Sequence, residues 1–210
     1  MKDFCPLCSG LGEMFYNKPK RKYYKCTNCN SLFVPFSLLP DPQKEKTRYL
    51  NHNNDVNDPR YQNFVMPVVN AIENDFTTTA YGLDYGAGTG PVISKLLHDK
   101  GYKIMQYDPL FFPDWNLLEK TYDYIVCCEV AEHFFKPKQE FSRLKKLLNP
   151  GGKLYCKTSI YEDKIDFNNW RYKNDPTHVF IYSKKTMEWI KEKFGFSEMN
   201  IQEGLIIFSL

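Results

Sequence analysis

The stretch Tyr81-Gly82-Leu83-Asp84-Tyr85-Gly86-Ala87-Gly88-Thr89-Gly90 runs from a short apolar segment into three glycines spaced two apart. Pro91 follows at a good first helical position, and Val92, Ile93, Leu96 and Leu97 form one apolar face that Gly101 closes. Strand, glycine turn and helix make the first half of a Rossmann-type unit, whose glycines let the backbone approach a nucleoside. The spacing D-x-G-x-G-x-G differs from the G-x-G-x-x-G of dinucleotide enzymes. Asp84 at the strand end repels a pyrophosphate and suits an ammonium group. Twenty-two residues after Gly86, a strand over 102–107 ends at Asp108, where a carboxylate can accept from both ribose hydroxyls. A cationic nucleoside cofactor with an amino-acid tail fits these two acids better than a nicotinamide dinucleotide.

Downstream, 124–128 is an uninterrupted apolar run, as a buried parallel strand requires. Pro137 opens a helix with Phe141, Leu144, Leu147 and Leu148 on one face. Asn149-Pro150-Gly151-Gly152 ends it, and 153–158 is the next strand. Ser183 caps a helix over 184–194 that Gly195 stops, and 198–202 and 205–210 form a hairpin turning at Glu203-Gly204. Only 13 residues, Pro109 to Thr121, separate Asp108 from Tyr122, and two of them are prolines. A parallel crossover alone takes about a dozen residues, so a third strand is missing or vestigial and about six strands remain.

Upstream, Phe64, Val65, Val68, Val69 and Ile72 predict a helix over 61–75 that Pro67 starts late or kinks. Residues 36–60 read as a linker or cap in which Pro40, Pro42 and Pro59 discourage regular structure. The first 35 residues are different again. Cys5-Pro6-Leu7-Cys8 and Cys26-Thr27-Asn28-Cys29 are two C-x2-C knuckles 17 residues apart, the spacing of a closed four-cysteine structural zinc site. Short strands at 13–16 and 23–26, joined by the basic turn Asn17-Lys18-Pro19-Lys20-Arg21-Lys22, complete a zinc ribbon. So small a module cannot bury enough apolar surface to fold alone, and the metal contributes folding free energy. Four thiolates leave no open position for catalysis.

The 210 residues, 42% hydrophobic and 16% aromatic, supply a real core and exclude a disordered chain. No apolar run approaches the ~18 residues of a membrane span, and the first residues lack a signal-peptide core, so the expectation is a cytoplasmic protein with reduced cysteines. The net charge of +3 is unevenly placed: residues 1–35 hold six basic residues against two acidic ones, +4, and the other 175 carry −1. The basic turn with Tyr23 and Tyr24 is a candidate RNA contact by phosphate pairing and stacking, or a solvated hairpin tip.

With residues 84–90 and Asp108, the run Tyr122-Asp123-Tyr124-Ile125-Val126-Cys127-Cys128-Glu129-Val130-Ala131-Glu132-His133 and the run Leu147-Leu148-Asn149-Pro150-Gly151-Gly152-Lys153-Leu154 resemble a known family. The chain is similar to the class I S-adenosylmethionine-dependent methyltransferases, in the small-molecule branch typified by ubiquinone-type methylases. Residues 170–187, with Trp170-Arg171-Tyr172 and Asp175-Pro176-Thr177-His178-Val179, resemble an uncharacterised bacterial subgroup of it. The resemblance implies a Rossmann-like α/β sheet over 61–210, an S-adenosyl-L-methionine cofactor and methyl transfer to oxygen, carbon or nitrogen of a small molecule.

It further implies cofactor contacts from Asp84, Gly86, Ala87, Gly88, Gly90, Asp108, Pro109 and Glu129, with His52 closing over the methionine end. Phe111, Phe112 and Trp115 wall the adenine or seal a sheet edge. His178, with Asp175 three residues earlier, is the preferred general base or a lock on a lid. His133 is a second base, a wall, or a structural residue. Trp170 and Tyr172 wall the acceptor pocket or merely pack. His98 reads as a surface residue, and Cys127 and Cys128 as inert core. Two other functions stay open: an RNA methyltransferase that uses the basic ribbon, and a non-catalytic cofactor-binding scaffold whose ribbon binds a protein. Oligomeric state is not legible.

Overall fold

The computed structural model of the chain describes residues 3–19, 21–50 and 54–210. Two sheets organise it. The larger is built from β4 (Tyr81–Tyr85), β5 (Lys103–Tyr107), β6 (Tyr122–Cys128), β7 (Leu148–Lys157), β10 (Glu198–Gln202) and β11 (Leu205–Ser209), in the order β10-β11-β7-β6-β4-β5. The four strands β7, β6, β4 and β5 are parallel, and the terminal hairpin adds β11 antiparallel to β7. Between β5 and β6 the described residues hold no strand, only a 3-10 turn at Trp115–Glu119, so β5 is the edge.

Burial explains the apolar run of β6. Its Tyr124 and Val126 pack under α2 (Pro59–Asp75) and α3 (Val92–Asp99), through Val65, Val69, Ile93 and Leu97. Its Ile125 and Cys127 face the other layer, where Phe141 and Leu144 of α4 (Pro137–Lys146) meet Met187 and Ile190 of α5 (Lys184–Phe194). Both faces are covered, as parallel strands require. Ser183 caps α5 in a reciprocal capping box with Thr186, and Gly195 ends it in the left-handed conformation, φ 70°.

The smaller sheet joins the N-terminal ribbon to residues 160–183. β1 (Gly12–Lys18), β2 (Arg21–Cys26) and β3 (Leu32–Phe33) form the ribbon, and the order continues β3-β9-β8, with β9 (Phe180–Ser183) and β8 (Ile160–Tyr161) from the C-terminal half. β3 pairs antiparallel with β9, Leu32 opposite Ile181 and Phe33 opposite Phe180. Cys5, Leu7 and Phe33 sit in the same core cluster as Phe141 and Met187, and Thr186 Oγ1 donates to the Cys29 carbonyl at 2.9 Å. Tyr23, Leu32 and Phe33 are wholly buried, contributing about 1.5–3 kcal/mol each for an apolar side chain of that size.

Residues 36–60 contradict the expectation of irregular structure. Pro42 and Pro59 are first residues of helices, α1 (Pro42–Leu50) and α2, where a missing amide hydrogen removes no bond. Asp41 accepts from the Gln43 amide and Asp58 from the Arg60 amide, capping each. α2 therefore begins at Pro59 and runs through Pro67, with no late start. Among the described residues no helix is long and apolar enough to cross a membrane.

Candidate active site

The carboxyl ends of β4, β5 and β6 open onto a cleft of about 680 Å³, within the ~300–1,000 Å³ usual for cofactor and small-ligand sites. One end is floored by the turn Gly86-Ala87-Gly88 and by Asp108. Gly88 has φ +60°, a conformation side chains resist, and only open space lies where a Cβ would stand. Its amide donates to Asp108 Oδ2 at 3.0 Å, while Oδ1 accepts from the amides of Leu110 (2.8 Å) and Phe111 (3.1 Å). Asp108 thus fastens the glycine turn to the tip of β5 at the wall of the cleft. Gly90 serves a different need: a Cβ there would lie 2.0 Å from the Asn54 carbonyl oxygen, so the chain leading into α2 crosses directly over the turn.

Asp84 lies behind this floor. It is buried and accepts the Ser94 hydroxyl at 2.7 Å. Burial pushes its carboxyl up to about 6, the Ser94 hydrogen bond opposing and the Asp108 charge adding.

The other end of the cleft gathers Glu45, Tyr49, Glu129, Glu132, His133 and His178. Glu129 stands at the end of β6 with φ 53°, a left-handed conformation that a non-glycine residue holds only at some cost. Enclosed by the cleft walls and facing Glu132, its carboxyl is pushed up, with Lys157 opposing. Glu132 is 0% exposed; its Oε2 accepts from Thr158 Oγ1 at 2.9 Å, and Thr158 in turn accepts from the Tyr172 hydroxyl at 2.8 Å. His133 and His178 meet edge to face at 4.9 Å, and Tyr172 lies 4.2 Å from the His178 ring. Burial lowers the His178 pKa, favouring the neutral imidazole.

The ribbon reaches this end of the cleft. Arg21 of β2 donates to the carbonyls of Asp175 (2.9 Å), Pro176 (2.9 Å) and His178, and Tyr23 donates to the His178 carbonyl at 2.7 Å. From the other side, Arg48 of α1 holds Asp175 in a two-pronged pair at 2.6–3.1 Å. Burial alone would raise Asp175, but Arg48 and the hydroxyl and amide of Thr177 hold it well below the usual carboxylate range. The segment carrying His178 is therefore clamped between the ribbon and α1.

At the far side of the ribbon, the sulfurs of Cys5, Cys8, Cys26 and Cys29 all lie within 4.8 Å of one another. Four 2.3 Å bonds to a tetrahedral zinc would set sulfurs about 3.8 Å apart; Cys5–Cys29 is 3.7 Å and Cys8–Cys26 3.3 Å. The amides of Gly10 and Asn28 point at Cys8 and Cys26, and Ser31 Oγ lies 3.3 Å from Cys29 and 3.4 Å from Cys5. The four cysteines form a group able to hold a metal ion.

The sequence profile of the family described as methyltransferase domain matches residues 58–200. The chain belongs to this family. No curated protein matches the methyltransferase by sequence. Among solved structures, it is similar to magnesium protoporphyrin IX methyltransferase from Synechocystis with bound S-adenosylhomocysteine: TM-score 0.53, 16% identity, covering 80% of this chain and 93% of that one. A phosphoethanolamine N-methyltransferase of Haemonchus contortus in complex with S-adenosyl-L-methionine gives TM-score 0.53 at 15% identity, covering 78% of this chain and 43% of that one. An O-methyltransferase family protein from Burkholderia thailandensis gives 0.50 at 12%, covering 80% and 68%. These likenesses concern the fold.

The methyltransferase brings Gly86, Ala87, Gly88, Asp108, Pro109, Glu129, His133 and His178 onto one cleft, with Phe111 and Trp115 beside Asp108. Asp84 and Gly90 support the turn from behind. Trp170 packs away from the cleft against Tyr161, Phe167 and Tyr172, and Tyr172 backs His178. The Asp175 carboxylate is engaged by Arg48 and Thr177, whereas the His178 ring is held by the Tyr172 carbonyl, 2.8 Å from Nδ1. Tyr23 is 0% exposed and Tyr24 stacks on Phe33, so Tyr23 is out of reach of a nucleic-acid base. His98 Nε2 lies 2.9 Å from the Ile104 carbonyl. His52 lies outside the described residues. Sequence reasoning missed Glu45, Tyr49, Arg21 and Glu132 as site residues. Only Glu132 carried a local signal, standing one turn after Glu129 and beside His133.

Proposed function

We propose that the chain is an S-adenosyl-L-methionine-dependent methyltransferase acting on a small-molecule acceptor, with a zinc-bound ribbon bracing the acceptor end of its cleft. The observation that carries this is the division of one cleft into two unlike halves. One is a glycine turn pinned by an acidic strand tip; the other is a clamped cluster of histidine and carboxylate. The cofactor, when bound, supplies an electrophilic methyl group on a sulfonium. The chain's own residues then have four tasks. Asp108 accepts from the ribose hydroxyls, and Gly88 offers backbone at close range. Asp84, through the turn above it, supplies negative charge toward the cationic tail. Phe111 and Trp115 flank the base.

Methyl transfer is an in-line displacement, so alignment and exclusion of water carry most of the rate. The clamp on residues 175–178 provides that alignment, and His178 or His133, neutral on Nε2, can take a proton where the acceptor must lose one. Two of the solved neighbours are named for a porphyrin and for phosphoethanolamine, both small molecules. Arg21 turns inward and Lys25 pairs with Asp163, so two of the ribbon's basic residues are engaged within the chain.

Calorimetric titration with S-adenosyl-L-methionine, followed by a methyl-transfer screen on metabolite and RNA pools, tests the reading. Micromolar cofactor binding with transfer to a small molecule supports it. Binding without any transfer favours the scaffold, and salt-dependent RNA affinity with RNA methylation favours the RNA enzyme.

A further inference from the structure

Three side chains from two distant segments converge at the acceptor end of the cleft. Glu132 and His133 belong to a 3-10 turn, Ala131–His133, just beyond β6. His178 comes from the clamped loop before β9. One ligand atom from each lies within 4.8 Å of the other two. The protonation pattern follows from their partners. His133 Nδ1 is 3.0 Å from the Thr177 carbonyl oxygen, and His178 Nδ1 is 2.8 Å from the Tyr172 carbonyl oxygen. A carbonyl only accepts, so each Nδ1 carries a hydrogen, which leaves Nε2 as the nitrogen that can coordinate a metal. Glu132 Oε2 is satisfied by Thr158, but Oε1 is buried with no hydrogen-bond partner at all. An unpartnered buried carboxylate oxygen is costly, and neither histidine hydrogen-bonds to it.

One cation relieves all three. We propose that Glu132, His133 and His178 form a second metal site, holding a divalent transition-metal ion whose open positions face the acceptor. Two imidazoles and one carboxylate suit zinc, cobalt, nickel or iron(II) better than the thiolate-free hard-ion sites of calcium or magnesium. The surroundings agree. Metal-bound imidazoles usually donate their other N–H to a carbonyl or carboxylate, which orients the ring, and here the carbonyls of Thr177 and Tyr172 do so. The Tyr172–Thr158 hydroxyl pair orients the carboxylate. Three protein ligands leave room for one or more exogenous oxygens, unlike the closed four-cysteine group at the far side of the ribbon.

What the ion does with an acceptor rests on the methyl-transfer reading; that it binds does not. With both Nε2 atoms on the ion, neither histidine acts as the base described above; instead, an ion-bound acceptor hydroxyl releases its proton to solvent more readily. The oxygen then attacks the sulfonium methyl: the O–CH3 bond forms, the S–CH3 bond breaks, and its electron pair stays on sulfur, leaving a neutral thioether. The site thereby narrows the acceptor class to hydroxyl compounds.

The test is a cobalt(II) titration of the full chain already carrying one zinc per molecule, followed by visible absorption, with S-adenosyl-L-methionine affinity measured in parallel. The expected result is one further equivalent of cobalt, with d–d bands but no intense thiolate charge-transfer band. In Glu132→Gln and His178→Gln that equivalent is lost or weakened by at least ~100-fold, while the zinc content stays at one. No additional stoichiometric cobalt in the wild-type chain, or equal binding in both variants, overturns the proposal. Should either variant fail to fold, the wild-type titration and the band pattern still decide. Loss of cobalt binding with cofactor affinity intact removes only this site; cobalt binding with no cofactor affinity removes the methyltransferase reading and leaves the site standing.

Discussion

The two sheets were built in opposite ways. The six-stranded sheet takes its parallel strands from one continuous stretch, 81–157, each announced by local signals: a glycine turn, an acidic strand tip, an apolar run. The five-stranded sheet is assembled from two segments far apart in sequence, 12–33 and 160–183, through strands as short as two residues, Leu32–Phe33 and Ile160–Tyr161. On the proposed reading, the first sheet shapes the half of the cleft that takes the cofactor, and the second, through Arg21 and Tyr23, holds the half that takes the acceptor. On that reading cofactor recognition is a property of local sequence, and acceptor recognition a property of long-range assembly.

That division can be broken by experiment, beginning where the expected effect is largest. Replacing Cys26 with Ser should abolish metal retention by the ribbon and melt the smaller sheet, since structural zinc contributes on the order of 10 kcal/mol to such modules. Methyl transfer should fall by ~100-fold or more. Cofactor affinity, measured by calorimetry, should change less than about threefold; an equal collapse of both would show that the halves are not separable.

Asp108→Ala acts on the opposite half. It frees the amides of Gly88, Leu110 and Phe111 together, and charged hydrogen bonds are worth about 1.5–3 kcal/mol each. Cofactor affinity should drop by ~30-fold or more with zinc content unchanged. Unaltered affinity would remove Asp108 from the cofactor site.

Asp84→Asn separates stability from binding. The folded carboxyl sits near 6 against an ordinary 3.8, so between pH 4 and 6 the folded state holds more proton than the unfolded one. The contribution of Asp84 to stability therefore declines as pH rises through that window, and the deficit is complete above pH 6. The Asn variant, still able to accept from Ser94, should be more stable at pH 7.5 by about 1–3 kcal/mol and bind cofactor more weakly. Thermal melts across pH 4–7.5 read the first effect: a variant no more stable than wild type at pH 7.5 removes the buried charge as a liability.

The smallest change is expected of Arg21→Gln, which leaves three carbonyls of the 175–178 segment short of a donor. KM for the acceptor should rise about tenfold with kcat and cofactor affinity nearly unchanged, a loss of roughly 1.4 kcal/mol. A matched fall in cofactor affinity would mean that the ribbon serves both halves.

These contrasts also explain what could be read beforehand. The end of β5 before Asp108, the capped α5, the hairpin at Glu203-Gly204 and the missing strand after Asp108 all rest on spacing within a few residues, and the fold has each of them. Pro42 and Pro59 misled because a proline both breaks a helix and begins one. Only the neighbouring Asp41 and Asp58, positioned to cap, distinguish the two cases. The pairing of β3 with β9 left no local trace, nor did the approach of Arg21 to His178. Such contacts depend on where the rest of the chain sends two remote segments. Asp175 and His178, three residues apart, seemed partners by proximity in sequence; in space the carboxylate turns to Arg48, and the ring to a backbone carbonyl.

The antiparallel pairing of Leu32 with Ile181 also has a consequence in time. On the ribosome the ribbon emerges first, and the strand that covers its edge is made 149 residues later. At about 5–20 residues per second that is a wait of roughly 7–30 s. Throughout it β3 is an open edge with buried-type side chains and no partner. A nascent ribbon that has captured its metal early would be a rigid, finished edge awaiting β9. One still empty would offer loose apolar strands to other chains, so metal supply during translation should govern the yield of soluble enzyme.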